Sequence, residues 1–143
     1  RSPLLAAGLA AAGVCAQAQT SPVGTWRSFD DKTGEAKSQI VIVERDGMLS
    51  GRIERLLRPG ADPAARCTEC SDERKDQPLV GLEIIRGARA SADGTVWEGG
   101  KILDPENGKS YTLRLTPADE GRKLDVRGSI GPFGRTQTWQ RVP

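Results

Sequence analysis

The sequence predicts an all-β protein, a closed or nearly closed eight-stranded antiparallel up-and-down barrel, on three observations. Turn signals recur at intervals suited to short strands rather than helices. Several of the runs between them alternate apolar and polar residues with a period of two. Tryptophan motifs bracket the series, Val23-Gly24-Thr25-Trp26 at the front and Arg135-Thr136-Gln137-Thr138-Trp139-Gln140-Arg141 at the back, so first and last strand are natural neighbours in a sheet closed on itself.

The strands follow from the punctuation. Asp30-Asp31-Lys32-Thr33-Gly34 separates the first two, Asp46-Gly47 is a two-residue hairpin signal, and Asp93-Gly94 and Pro105-Glu106-Asn107-Gly108 repeat that chemistry. Ala118-Asp119-Glu120-Gly121 and Gly131-Pro132 complete the set. The expected strands are 22–29, 35–45, 48–57, 80–87, 95–103, 109–116, 122–129 and 134–141. About eight strands close a barrel with room inside for side chains or one small ligand. Tyr111, Leu113 and Leu115 share one face, as do Leu49, Ile53 and Leu57. Ile40, Val41, Ile42 and Val43 are consecutive, so at least two of them must face outward, and Gly99-Gly100 marks a bulge or bend. Trp26 near the start of strand one, with Trp139 and Arg141 on the last strand, is expected to plug one end by burial and by a guanidinium laid across a ring.

A chain of 143 residues is one ordinary domain. Its first 18 residues read as a cleaved export signal: an apolar run from Pro3 to Val14, too short to span a bilayer, followed by Ala16-Gln17-Ala18, a small-x-small cleavage site cut after Ala18. Residues 19–143 are then the barrel domain, and its expected location is periplasmic or secreted. Cys15 follows Val14 rather than a small residue, which favours soluble export over lipidation, and no transmembrane segment is expected. The leader removes one Arg from a chain with 21 basic and 19 acidic side chains, so the mature charge is near zero. Basic and acidic residues are interspersed, which leaves no footprint for nucleic acid or an anionic surface.

The connection from Arg58 to Pro78 is far longer than a hairpin needs and carries Cys67-Thr68-Glu69-Cys70. In an oxidising compartment a local disulfide staple between Cys67 and Cys70 is the leading reading. A redox dithiol wants a helix N-terminus and a βαβ context, and a zinc site wants four soft ligands; the chain has no His and no second Cys pair. The lack of His also removes the commonest general base. Asp30, Asp31, Glu98 and Asp104 are formal carboxylate candidates, although acids beside Gly in turns more often cap the backbone. No glycine loop opens onto a helix to cradle phosphate. Neither an enzyme nor a bound cofactor or metal is expected.

The motifs resemble those of an uncharacterised bacterial envelope family, domain of unknown function 2147. The likeness rests on Gly24-Thr25-Trp26, Asp30-Asp31-Lys32-Thr33-Gly34, the Cys67-x-x-Cys70 pair, the run from Gly99 through Lys109 with Tyr111, Val126-Arg127-Gly128, and Gly134 through Arg141. It implies an exported lipocalin-like or calycin-like barrel and no established enzymatic activity.

Parity along the last strand puts Arg135, Gln137, Trp139 and Arg141 on one side. With Trp139 inward, Trp97, Tyr111, Arg135 and Gln137 would suit a small amphipathic ligand with an apolar body and an anionic or carbonyl group. Such a protein would act as a carrier or sensor. The alternative is a filled barrel that docks an envelope protein through Ile40–Val43 or the long connection, and a third reading is a Cys67/Cys70 thiol redox protein.

Overall fold

The fold is a single antiparallel sheet that closes on itself, seen in a computed structural model that describes residues 20–143. The export signal expected in 1–18, with Cys15 and the cut after Ala18, lies outside the described residues. The strands are β1 (Gly24–Phe29), β2 (Ala36–Arg45), β3 (Met48–Leu56), β4 (Glu83–Ala90), β5 (Trp97–Asp104), β6 (Lys109–Ala118), β7 (Lys123–Ile130) and β8 (Phe133–Arg141). They pair in chain order to form a closed barrel. Asp46 and Gly47 both take positive φ, +53° and +79°, as a tight type I′ hairpin requires. Asp119 and Glu120 do likewise in a 3-10 turn between β6 and β7.

The core fills the end where the β2–β3, β4–β5 and β6–β7 turns gather with the start of β1 and the end of β8. Trp26, Ile40, Ile42, Leu49, Ile85, Leu113, Leu115, Leu124 and Trp139 are buried there. Val41 and Val43 alternate outward from Ile40 and Ile42, and Val43 is exposed. The Arg141 guanidinium lies 4.3 Å from the Trp26 ring centroid. It donates to the carbonyls of Gly121, Val23 and Ser21 at 2.7, 2.9 and 2.8 Å, while the Trp26 indole N–H donates to Pro22 O at 2.8 Å. The closing seam is short: β1 and β8 pair only at Trp26 with Arg141 and at Arg27 with Gln140.

Two expectations need correction. Strand β4 starts at Glu83 and ends at Ala90, not at 80 and 87, because the connection closes with a turn in which Leu82 N–H donates to Leu79 O and Gly81 adopts φ +93°. On β3, Leu57 does not continue the face of Leu49 and Ile53. The register against β2 slips between Gln39 and Ile40, two residues of β3 oppose one step of β2, and Leu56 packs against the core instead. A slip of the same kind between Glu98 and Gly100 confirms a bulge at Gly99-Gly100.

The long connection is ordered by its own bonds. Cys67 and Cys70 form a disulfide, and both are buried. Arg66 bridges Pro78, Cys67 N–H donates to Gln77 O, and Leu79 N–H donates to Ala65 O. The nearly buried Arg74 ties the segment to β4 by donating to Glu83 O at 2.8 Å and to the Asp72 carboxylate. Since the disulfide ring is small, Cys67→Ser with Cys70→Ser should keep the fold and lower stability by about 2 kcal/mol at most. Urea denaturation reads this directly, and unfolding of the double variant would give the disulfide a far larger role.

A cavity at the unplugged end

Opposite the plug, at the end where the β1–β2, β5–β6 and β7–β8 turns lie, the β5–β6 turn and the long connection line the mouth of a cavity of about 790 Å³. Alternation inside the strands gives it an apolar floor and a polar rim. Ile40, Ile53, Ile84, Ile102, Val126 and Trp139 supply apolar wall from six different strands. Ala61, Ala65, Thr68, Glu69 and Leu79 of the long connection wall one side, so the loop held by the disulfide is part of the container. The β5–β6 hairpin presses on that loop: a Cβ at Gly108, whose φ is +74°, would lie 1.9 Å from Glu69 O.

Three of the four residues expected around a ligand come together at this mouth. Tyr111, Arg135 and Gln137 line the cavity, and Asn107 donates to the Tyr111 hydroxyl at 3.0 Å. Arg135 pairs with Asp31 at 3.1 Å, while Gln137 donates to the same carboxylate at 3.4 Å and accepts from the Trp139 indole at 3.2 Å. Trp97 is elsewhere. It begins β5 opposite Ala90 and Leu115, half-buried against the plugged end, and it does not line the cavity. Its distance from Tyr111 follows from strand direction, since β5 rises to the mouth where Trp97 begins it at the base.

Sequence reasoning passed over several lining residues. Arg58, from the start of the long connection, contacts Asp30 at 3.0 Å, Glu106 at 3.3 Å and Glu35 at 3.6 Å, tying the β1–β2 and β5–β6 turns of the mouth to the long connection through one guanidinium. Lys37 adds a pair with Glu106 at 3.5 Å. Nothing local marks Arg58, because its partners are distant in sequence. Ser28 and Ser38 also line the cavity and are nearly buried. Parity could have found them: Ser28 stands two residues from Trp26, and Ser38 two from Ile40.

The carboxylates act structurally. Asp30 accepts from the Lys32 and Thr33 amides at 2.8 and 2.9 Å, and those bonds, aided by Arg58, hold its pKa far below the ordinary carboxylate range. Asp104 accepts from the Glu106 amide, and Glu98 pairs with Arg114 away from the mouth. Asp72 is pulled down to about 2, first by its hydrogen bond from the Arg74 side chain and then by the Arg74 amide. Burial pushes Glu83 up, but bonds from Ser50 and Arg86 outweigh it and the net shift is downward. Asp30, Asp72 and Glu83 are thus more acidic folded than unfolded, so their contribution is complete above the unfolded pKa near 4 and is lost as pH falls through the folded value. With no His in the chain, no side chain has an ordinary pKa between 5 and 8. Thermal midpoints should therefore be level across pH 5 to 8 and fall steadily below about 4; a pronounced slope near neutrality would contradict this assignment.

Among the described residues no group of three or more His, Cys, Asp or Glu could hold a metal ion, and no helix is long and apolar enough to cross a membrane. Comparison with solved structures gives a similar fold in a Helicobacter pylori protein described as "Protein HP1028 from the human pathogen Helicobacter pylori belongs to the lipocalin family". The TM-score is 0.74 at 18% identity, covering 87% of this chain and 85% of that one. At that identity the likeness establishes the fold: an eight-stranded antiparallel barrel of lipocalin-like form. No curated protein matches the chain. Residues 24–141 match the model of the family described as "Uncharacterized protein conserved in bacteria (DUF2147)", which spans every strand of the barrel. The chain belongs to that family.

Proposed function

We propose that the barrel is a carrier or sensor for a small amphipathic molecule, acting outside the cytoplasm. The cavity carries this reading: about 790 Å³ within the usual range of ligand sites, apolar below and polar at the rim, in a barrel of the size that can hold one small ligand. The apolar body would lie against Ile40, Ile53, Val126 and Trp139, with an anionic or carbonyl group among Arg135, Gln137 and Tyr111. Arg135 is largely exposed and its Asp31 partner is on a turn, so exchanging that carboxylate for a ligand's costs little. The disulfide fits an oxidising compartment, as an exported protein would meet.

Native mass spectrometry of protein purified gently from the periplasm, compared with the denatured sample, tests the proposal. A stoichiometric adduct lost on denaturation is expected, and binding should quench the cavity-lining Trp139. Arg135→Ala should weaken binding of an anionic ligand about tenfold without lowering the melting temperature. An apo mass, with no fluorescence response to lipid extracts, would favour the filled-barrel interaction module.

That second reading has one observation of its own. Ile40 and Ile42 face the core, so the expected docking patch is reduced to Val41 and Val43, but Ile130 and Phe133 on the β7–β8 hairpin are 52% and 78% exposed beside the mouth. Burial of both cysteines favours the staple over exchange with a partner thiol. Reduction-potential measurement separates them, since a structural disulfide sits below the range of catalytic dithiols.

A further inference from the structure

Among the described residues the two most exposed large apolar side chains are neighbours. Phe133 and Ile130 are paired across the β7–β8 hairpin, and Pro132, also exposed, sits at its tip. Apolar side chains scattered singly over a surface are ordinary, but a set gathered on one hairpin tip is not. Gly131 takes φ +57° and the Pro132 ring fixes the other central residue, so the turn is stiff and holds the pair side by side. The pair also prolongs the cavity wall. Val126 and Gly128 on β7, and Trp139, Gln137 and Arg135 on β8, line the cavity, and Ile130 and Phe133 are the next positions of the same two alternating rows.

Two guanidiniums flank this tip. Arg135 is largely exposed, and its partner Asp31 lies on the β1–β2 turn. Arg127 lies on the outer side, opposite Thr136, and a Cβ at Gly134 would be 2.4 Å from its Nη2, so its guanidinium is laid against the backbone next to Phe133. Its neighbour across the ladder on β6 is Arg114, a like charge, which takes Glu98 for itself at 3.1 Å. Like charges directly opposed destabilise a sheet, and among the described residues no carboxylate comes within ion-pair distance of Arg127 to relieve it. The sequence has no basic block, yet the fold sets two cations eight residues apart on either side of one apolar tip.

We propose that the β7–β8 hairpin docks the barrel on an anionic lipid surface, with Ile130, Pro132 and Phe133 entering the apolar layer and Arg127 and Arg135 meeting lipid phosphates. Apolar side chains below the headgroups with guanidiniums at their level are the arrangement of an interfacial anchor. A protein partner fits the tip less well. Three side chains fall far short of the ~800 Å² that each partner buries in a standard protein interface, whereas a few buried apolar groups and nearby cations are enough for reversible lipid contact. The hairpin lies at the same end of the barrel as the cavity, so docking turns the mouth toward the bilayer. The row from Phe133 through Arg135 and Gln137 to Trp139 then runs from the lipid into the cavity. Docking needs no loaded cavity, and in this it goes beyond the carrier reading.

Flotation of protein purified from the periplasm tests the docking, with vesicles of phosphatidylglycerol and phosphatidylcholine in equal parts and with phosphatidylcholine alone. The native protein should partition onto the anionic vesicles and about tenfold less onto the neutral ones. Ile130→Ser with Phe133→Ser should lower partitioning by about tenfold, and Arg127→Gln by about fivefold, the worth of one cation near a charged surface. Met48→Ser removes an exposed apolar side chain at the opposite end of the barrel and should change nothing. All these positions are exposed, so melting temperatures should match the native protein. If the double variant melts lower, Phe133→Ser alone should still lower partitioning by about fivefold. A native protein that stays off the anionic vesicles overturns the proposal and leaves the tip to a protein partner. Partitioning that survives the double serine variant, or that Met48→Ser lowers as much, overturns it too. Each of these failures leaves the carrier reading standing, because flotation does not depend on what the cavity holds.

Discussion

Trp26→Ala should cost roughly 3–5 kcal/mol of stability, with a fall in melting temperature of more than ~10 °C for a domain of this size. The ring is fully buried and closes the base of the barrel, so its removal leaves a void bounded by a sheet that cannot collapse into it. It also strips the apolar and π-face contact from Arg141, whose guanidinium burial already disfavours its charged form and whose three acceptors are all neutral carbonyls. Trp26→Phe separates the contributions, because it restores a ring under the cation while deleting the bond to Pro22 O. It should recover most of the loss. Urea denaturation of the two variants measures the difference, and a loss under 1 kcal/mol in Trp26→Ala would mean that the base is not held by this ring.

Gly100→Ala should cost about 3 kcal/mol, at the upper end for overpacking. A Cβ there would lie 2.3 Å from Arg86 O, 2.5 Å from Ala88 N and 2.8 Å from Gly87 C. All three are backbone atoms of β4, so no side-chain rotation relieves the overlap and the two strands must part. Gly99→Ala is the internal control. Its Cβ would meet nothing within 4 Å, and only its φ of +85° penalises the change, about 1 kcal/mol. The two alanines should therefore differ clearly in denaturation midpoint, and equal midpoints would show that the bulge, not close approach of β4, sets the requirement for glycine.

Much of the architecture was legible because its determinants are local. Asp46-Gly47 and Gly131-Pro132 announce their turns, and parity on β6 and β8 places Leu113, Leu115 and Trp139 inside. What parity cannot carry is a register slip. The irregularity between β2 and β3 exchanges Leu57 for Leu56, and the turn at Leu79–Leu82 moves the start of β4 by three residues; both depend on how distant segments share hydrogen bonds. The same limit applies to the cavity. Arg135, Gln137 and Tyr111 were found because they sit on well-phased strands. Trp97 was attached to them by residue type alone, without regard to which end of β5 it occupies. Arg58 needed three-dimensional proximity to Asp30, Glu35 and Glu106 before it meant anything.

The brevity of the β1–β8 seam has a consequence for how the barrel breathes. Below, Trp26 and Arg27 zip the ring shut against Arg141 and Gln140, and Val142 N–H adds a bond to Thr25 O at 2.9 Å. Above, β8 continues to Phe133 with β7 on one side and no strand partner on the other, where the reach of Asp31 to Arg135 stands in for a ladder. The molecule is a hoop at its base and a split collar at its top. Amides of residues 134–138 that face β1 should exchange with deuterium well before those of β6, whose strand is paired on both sides. The first motion on warming would be a parting of the collar, widening the mouth while the hoop stays closed.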